Sequence, residues 1–423
     1  MLITRNKKLL SFVTSAAMAL TITMSVIPVS ALDAVNKPFD VVATINGDTK
    51  TQMGLTWFTN PGSANSVLQV IEGNNKTASD FTGGVLKEYT DTKSALNNIA
   101  YDTNVTKSYE DHKALATGLK PNTTYSYRVG NDTDGWSEIG TFTTAMQENS
   151  SFNFIYLTDT QAQNTSQFGI SKNTIHQAIT KVPSAKFILE PGDLIETSTT
   201  GGREWEWEQY FSTNQDVFYN IPFAPAIGNH DNNNNWNFSN HFNTASLPSG
   251  MTAAKPGTVY SFEYGNALFM VLNYEVYNSS SDLDAMANWM KSVASSSNKK
   301  WKIAVFHKAM YTGSGSHQSD SDAKIIRGKF APLFDELHID MAIQGHDHIY
   351  EVIGPVKNSK LVSGEVSGVT SDTAIDPKGN GKKGGTFDVT QGTLYFLNGA
   401  AGSKFYYPRS ESEMNAAQSS TRY

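Results

Sequence analysis

Five short polar segments constrain the fold of this sequence most, because each follows a run of apolar, β-favouring residues. They are Thr158–Gln161, Gly192–Glu196, Gly228–Asp231, Phe306–His307 and Gly345–His348. Any one of them alone is typical of a turn. In open α/β sheets, however, ligands bind in the crevice outside the carboxyl ends of the strands. The five segments together therefore predict one polar site at the edge of an α/β fold.

The elements between these segments support an α/β region over residues 151–410. Residues 259–274 are predicted to form a hairpin that turns at Gly265-Asn266. Apolar runs that fit buried strands alternate with stretches that have helical periodicity. The strand candidates are 152–157, 186–189, 302–306 and 340–343, and the helical stretches are 171–181, 283–293 and 324–337.

The preceding region, residues 38–145, is predicted to be all-β. Short β-favouring runs at 52–58, 123–129 and 139–144 are separated by turn clusters such as Asn60–Ser63. This spacing is typical of a sandwich of about 100 residues. Gly118–Tyr125 resembles the corner before a late strand of fibronectin type III domains. We therefore predict a multidomain α+β chain, with a fibronectin III-like β-sandwich in front of the α/β domain.

The first 31 residues have the features of a secretory signal peptide. Three basic residues precede an apolar stretch over residues 9–29, and Val29-Ser30-Ala31 offers a small-residue cleavage site. An uncleaved membrane anchor is the alternative, since about 20 apolar residues can span a bilayer. No later stretch predicts a membrane span. The expected location is outside the cell or on its surface, in a bacterium.

Charge and cysteine content restrict the chemistry. The net charge is −7 (33 − 40), and removal of residues 1–31 with their three basic residues makes it −10 (30 − 40). An acidic protein is a poor nucleic-acid binder, so no such partner is expected. The chain has no Cys. Any metal must therefore be held by His, Asp, Glu, Asn or Gln.

The order of the five segments resembles that of the metallophosphoesterase (calcineurin-like) superfamily, which runs D-x-H, G-D, G-N-H-[DE], H and G-H-x-H. The β-sandwich in front makes it similar to the purple-acid-phosphatase-like branch, over about residues 38–410. The resemblance implies an α/β sandwich of two sheets flanked by helices. It also implies two divalent transition metal ions (Mn, Zn or Fe) as cofactors, which would clamp a phosphoryl displacement.

The resemblance also assigns roles to individual residues. Asp193 matches the bridging carboxylate, Asp159 and His348 complete the shell of one metal, and Asn229, His307 and His346 complete that of the other. His230 follows a ligand directly and is expected to face the substrate as a phosphate contact and general acid. His317, in a Gly/Ser-rich segment, matches a second substrate-contacting His.

The sequence departs from the family at several positions. Gln161 stands where the superfamily has a His ligand, and Glu196 stands where purple acid phosphatases have a Tyr ligand. Either residue would ligate through oxygen, or the first metal would be weakly held. Val352 replaces an Arg after the last motif. Relatives usually add two strands after residue 399, whereas this chain ends in a polar tail over residues 411–423, as a fragment of a longer protein would.

The expected function is hydrolysis of small phosphate monoesters by a metal-bound hydroxide. The alternatives are a phosphodiesterase acting on nucleotides or lipid head groups, and a surface protein that binds a partner while its catalytic domain is inactive. No membrane span remains after signal removal, and the sequence assigns no oligomeric state. Trp205, Trp207 and the remaining histidines, at positions 112, 176, 241 and 338, are expected to have structural roles.

Overall fold

The computed structural model describes residues 36–146, 150–197, 203–231, 236–362 and 389–407. The predicted signal peptide and the 411–423 tail lie outside the described residues. Within the described part, the first region holds nine strands. They are β1 Phe39–Thr44, β2 Met53–Thr59, β3 Val67–Glu72, β4 Lys87–Thr90, β5 Thr92–Asp102, β6 Val105–Ala116, β7 Thr124–Asn131, β8 Gly135–Trp136 and β9 Gly140–Thr143.

The second region alternates strands and helices. Its strands are β10 Asn153–Tyr156, β11 Ala185–Pro191, β12 Phe223–Ala226, β13 Tyr260–Tyr264, β14 Ala267–Val271, β15 Trp301–Val305, β16 Met341–Gln344, β17 Tyr350–Lys357, β18 Lys360–Leu361 and β19 Thr393–Asn398. Its helices are α1 Thr165–Lys181, α2 Glu204–Phe218, α3 Asn237–His241, α4 Ser280–Ser296 and α5 Ser321–Leu337.

Three sheets organise these strands. The first runs β10-β11-β12-β1-β2-β6-β5, the second β13-β14-β15-β16-β19-β17-β18, and the third β4-β3-β7-β8 with β9 paired to β7. The first sheet crosses from the α/β region into the β-sandwich, because β1 pairs in parallel with β12 through Thr44 and Phe223. The two regions are therefore joined by backbone hydrogen bonds as well as by the linker.

The α/β region has four layers. Phe187 and Leu189 of the first sheet pack against Phe262 and Phe269 of the second. Helices α1 and α2 cover the outer face of the first sheet, and α4 and α5 cover that of the second. This confirms the predicted sandwich of two sheets flanked by helices. A separate core holds the β-sandwich together.

Local sequence explains where the helices begin. The helical stretch predicted over residues 171–181 lies within α1, which begins earlier, at Thr165. There the Asn164 side chain accepts a hydrogen bond from Gln167 N at 3.1 Å. Ser279 caps α4 in the same way, from Asp282 N. Asn and Ser are favoured at this position because they satisfy otherwise unpaired backbone N–H groups. The hairpin of β13 and β14 turns where predicted.

The sheets bring the five polar segments together. Strands β10, β11 and β12 are parallel in one sheet, and β14, β15 and β16 are parallel in the other. Each polar segment follows the carboxyl end of β10, β11, β12, β15 or β16. Among the described residues, none of the helices has the length and apolar character needed to cross a bilayer.

Candidate metal centre

Three predicted ligands have unusual backbone conformations. Asp159, Asp193 and His346 have φ values of 56°, 54° and 76°. This left-handed region is uncommon for residues other than glycine, and such strain concentrates at functional sites. At each position the chain turns sharply as it leaves a strand, so the side chain points from the sheet edge into the crevice.

A first group of donor atoms meets around His307. Its Nε2 lies 3.1 Å from Asp193 Oδ2, 3.1 Å from Asn229 Oδ1 and 3.2 Å from His346 Nδ1. The other ring nitrogen, Nδ1, lies 2.9 Å from the Pro191 carbonyl and donates to it. This bond fixes the ring and turns Nε2 toward the other three donors, as the outer partners of metal-bound histidines do.

Four lone-pair atoms this close together need a positive charge between them. Burial opposes protonation of His307, but Asp193 and Asp159 outweigh it and raise its pKa to about 10. Burial and His307 together lower the pKa of His346 well below its ordinary value, so that ring is neutral. In a tetrahedral shell with metal–nitrogen distances near 2.0–2.1 Å, neighbouring ligand atoms are roughly 3.3 Å apart. The observed separations fit a divalent ion that displaces the His307 proton.

A second group lies around Asp159. His348 Nε2 is 3.2 Å from Asp159 Oδ1, and His348 Nδ1 donates to the Lys404 carbonyl at 3.1 Å. The backbone N–H of His346 contacts both Asp159 oxygens at 3.2 Å. Asp159 and His348 are buried. The pair matches the residues predicted for the other metal.

Gln161 and Glu196 lie beside each other in this second group. Gln161 Nε2 donates to Glu196 Oε2 at 3.1 Å, while Glu196 Oε1 pairs with Lys404. Gln161 Oε1 is buried and has no hydrogen-bond partner among the described residues. An orphaned acceptor in a crevice lined by carboxylate and imidazole fits a bound cation. The residues present therefore suit two metals, and the bridging role of Asp193 stays a prediction.

The two predicted substrate-facing histidines border these groups. His230 N donates to Asp193 Oδ1 at 2.8 Å, its Nδ1 bonds the Glu196 carbonyl, and its Nε2 is 4.0 Å from Asp193 Oδ2. The ring of His317 lies 4.1 Å from that of His346, centroid to centroid. His317 Nδ1 also bonds Asp320 Oδ2 at 2.9 Å. Both rings are partly exposed.

Asp231 is a supporting residue to which the sequence assigned no role. Its buried carboxylate accepts from Asp193 N at 2.9 Å, Gly228 N at 2.8 Å, Leu194 N at 2.8 Å and Ile195 N at 3.3 Å. Burial and the charge of Asp193 raise the pKa of Asp231. The available sequence signal for this role was the position of Asp231 as the fourth residue of the G-N-H-D segment. Its carboxylate binds the turn that carries Asp193.

Gly228 leaves room for the same turn. A Cβ built on Gly228 would lie 2.2 Å from Asp193 Oδ1 and 2.3 Å from Asp193 N. No side chain fits at that distance. The glycine of this motif is therefore required by the approach of two loops, each following a neighbouring strand of the first sheet.

The segment 401–407 was also missed as part of the site. Gly402 N donates to Asp159 O at 3.0 Å, and the Tyr406 ring stacks on His348 with centroids 4.5 Å apart and an interplanar angle of 10°. Lys404 reaches Glu196. Nothing in the local sequence of this segment resembles a ligand motif, so only the folded chain reveals these contacts.

The residues expected to be structural lie in other surroundings. His112 bonds Asp91 Oδ2 at 2.5 Å and Thr59 Oγ1 at 2.8 Å. His241 bonds Glu204 at 2.7 Å. Trp207 is buried in the core beneath α2, and Trp205 packs against that core. His176 lies in α1 and His338 ends α5.

Comparisons with known proteins agree with this arrangement. The purple acid phosphatase N-terminal domain model matches residues 38–144, and the calcineurin-like phosphoesterase model matches residues 152–350. Acid phosphatase type 7 of Danio rerio is 25% identical over 350 residues, which are 75% of this chain and 74% of that protein. Purple acid phosphatase 23 of Arabidopsis thaliana is 23% identical over 334 residues, 68% of each chain.

A solved structure shows the same fold. The purple acid phosphatase from yellow lupin (Lupinus luteus) seeds superposes with a TM-score of 0.68 at 15% identity, covering 88% of this chain and 66% of that one. Two family models matched in order, the fold and the five segments lead to one conclusion: the chain belongs to the purple-acid-phosphatase-like metallophosphoesterases, with the N-terminal domain typical of that branch.

Proposed function

We propose that this protein is a secreted phosphoesterase that uses two metal ions to hydrolyse phosphate monoesters. Metal-dependent phosphoester hydrolysis is the chemistry of its family. One observation carries the proposal. Asp193 Oδ2, Asn229 Oδ1 and His346 Nδ1 all lie within hydrogen-bond distance of His307 Nε2. A fold without a bound cation has no reason to gather these donors, with Asp193 and His307 buried, beside the Asp159–His348 pair.

The ligands determine the charge of the site. Two divalent ions bring four positive charges, and when bound they supply an activated water and polarise the phosphoryl oxygens. Asp159 and Asp193 contribute two negative charges, while the imidazole and amide ligands are neutral. A net charge of about +2 is left to hold a phosphate dianion, which favours monoesters over the singly charged diesters. The names of the acid phosphatase relatives agree with this preference.

His230 is placed to protonate the leaving group. Its Nδ1 donates to the Glu196 carbonyl, which can only accept, so Nε2 is the ring nitrogen left to take up and deliver a proton. Nε2 lies 4.0 Å from Asp193 Oδ2 and its side chain is 26% exposed, so it faces the crevice that a substrate enters. His317, on the side of His346, would contact the phosphate. The site thus offers a candidate proton donor beside Asp193 and a second imidazole beside His346.

Secretion is the other part of the proposal. It rests on the signal-like residues 1–31. A surface protein with an inactive catalytic domain would have no need for the buried donor groups described above.

The decisive experiment is an assay of metal-loaded protein on paired monoesters and diesters of the same alcohols across pH, with metal content measured in parallel. We expect two ions per chain and faster monoester cleavage. His338→Asn is a matched control, because His338 is an exposed histidine that ends α5 in a left-handed conformation that Asn tolerates. Faster diester cleavage would reverse the substrate assignment, and full metal loading without hydrolysis of either would support the inactive alternative.

A further inference from the structure

We propose that the amide oxygen of Gln161 is a ligand of the first metal, and that Lys404 holds the Glu196 carboxylate away from that metal. The inference rests on the proposed function and specifies one shell of the same site. The sequence left Gln161 and Glu196 as alternatives. The contacts of the two side chains distinguish them.

Gln161 buries an oxygen that lacks a hydrogen-bond partner in the described chain. This oxygen is Oε1, and the residue is 2% exposed. Buried polar atoms nearly always have partners, so an orphaned one indicates a missing ion or water. The residue is two positions after Asp159, and its backbone N donates to Asp193 O at 3.0 Å. The Gln161 side chain therefore starts between the two predicted carboxylate ligands, Asp159 and Asp193.

The orientation of the Gln161 amide is fixed by its neighbour. Nε2 donates to Glu196 Oε2 at 3.1 Å. The reverse orientation would place the amide oxygen against a carboxylate oxygen, and two acceptors repel each other. The contact with Glu196 thus identifies the NH₂ group of the amide and leaves its oxygen as the unpaired acceptor.

Glu196 is already engaged on both oxygens. Oε2 accepts from Gln161, and Oε1 pairs with the Lys404 ammonium. Its backbone is fixed as well, since Glu196 N donates to Glu206 Oε2 at 3.1 Å. Because Glu196 neutralises Lys404 and orients the Gln161 amide, it supports the metal shell from outside and is not itself a ligand.

Lys404 connects this support to the predicted ligands. Its carbonyl accepts from His348 Nδ1 at 3.1 Å, while its ammonium reaches Glu196. One residue thus orients an imidazole through its backbone and an amide through its side chain. With Asp193 as the predicted bridge, the resulting shell has two carboxylates, one imidazole and one amide oxygen. Such an oxygen-rich shell favours harder ions such as Mn²⁺, whereas an added imidazole would favour Zn²⁺.

The test is metal binding by the metal-free protein, measured by calorimetry and elemental analysis with Mn²⁺ alone. We expect the wild type to bind two ions. Gln161→Leu should weaken one site by about 10–100-fold or more, since even outer partners of ligands have effects of that size. The double variant Glu196→Gln/Lys404→Met should keep two ions with a smaller loss, because the new amide oxygen still accepts from Gln161. Gln161→His should bind Zn²⁺ more tightly at that site.

Two controls separate binding from folding. Gln167→Leu changes a glutamine on α1 and should leave both sites intact. The thermal midpoint of metal-free Gln161→Leu should fall only slightly, because the substitution removes one hydrogen bond, from Gln161 Nε2 to Glu196, and an oxygen with no partner among the described residues. The gain on adding Mn²⁺ should shrink. If the wild type binds fewer than two ions, the proposed function and this inference both fail. If it binds two ions, and Gln161→Leu retains both while Glu196→Gln/Lys404→Met loses one, only this inference is overturned.

Discussion

Replacing Asp231 by Asn tests how the protein holds its central carboxylate. Each Asp231 oxygen accepts two backbone N–H groups: Oδ2 from Asp193 and Gly228, and Oδ1 from Leu194 and Ile195. An Asn has one oxygen. Its NH₂ group must therefore face one of these pairs of donors, which leaves two buried N–H groups without an acceptor.

The expected loss of stability follows from these bonds. Hydrogen bonds to charged groups contribute about 1.5–3 kcal/mol each, so losing two costs about 3–6 kcal/mol. Part of this is offset, because burial and the nearby Asp193 charge disfavour the Asp231 carboxylate and raise its pKa. We expect a net decrease of about 2–4 kcal/mol in the free energy of unfolding, together with weaker metal binding, since the turn that carries Asp193 loses its support.

The matched control is Asp282→Asn. Asp282 is also buried, and it accepts backbone N–H groups of Thr252, Ala253 and Ala254. It lies at the start of α4, among residues that contribute no predicted ligand. Both variants should lose stability in urea unfolding of the metal-free protein, but only Asp231→Asn should lose metal affinity in calorimetry. The reasoning would be refuted by unchanged stability in Asp231→Asn, or by equal losses of metal affinity in both variants.

Four further results are expected. Asp193→Asn should abolish activity and lower metal content together; a variant that keeps both metals and the wild-type rate would contradict the bridging role. His230→Ala should keep its metals and lose about 10²–10⁴-fold in kcat, less for good leaving groups, and an equal loss for all leaving groups would remove the acid role. Burial raises the pKa of Glu190 from 4.5 to about 8. The folded state therefore binds a proton that the unfolded chain releases, and the free energy of unfolding should fall between pH 5 and 8. Urea unfolding of Glu190→Gln should show a weaker decline over this range, and a pH profile identical to that of the wild type would exclude this cause. Iron-loaded protein should show no strong visible band, because Glu196 replaces the expected Tyr; a band that disappears in Tyr406→Phe would mean that this Tyr reaches the metal.

The sequence by itself determined the parts of this protein that local chemistry specifies. A run of β-favouring residues followed by Gly-Asp or Gly-His gives a buried strand and a polar turn wherever it occurs. The order of five such segments resembles that of the calcineurin-like family. That resemblance was enough to predict the α/β sandwich and to pair Asp159 with His348 and Asn229 with His307. Residue type alone also restricted the donors to oxygen and imidazole, because the chain has no Cys.

Only the tertiary structure decided how distant segments support one another. Lys404 pairs with Glu196 across 208 positions of sequence, and β1 joins β12 to merge the sheets of two regions. The choice between Gln161 and Glu196 depends on that lysine, and the position of Asp193 depends on the Asp231 carboxylate. Apart from the Asp231 contact, for which the G-N-H-D segment was a signal, these contacts have no local pattern. Hydrogen bonds between loops depend on where the strands end in space and not on the residues that precede them.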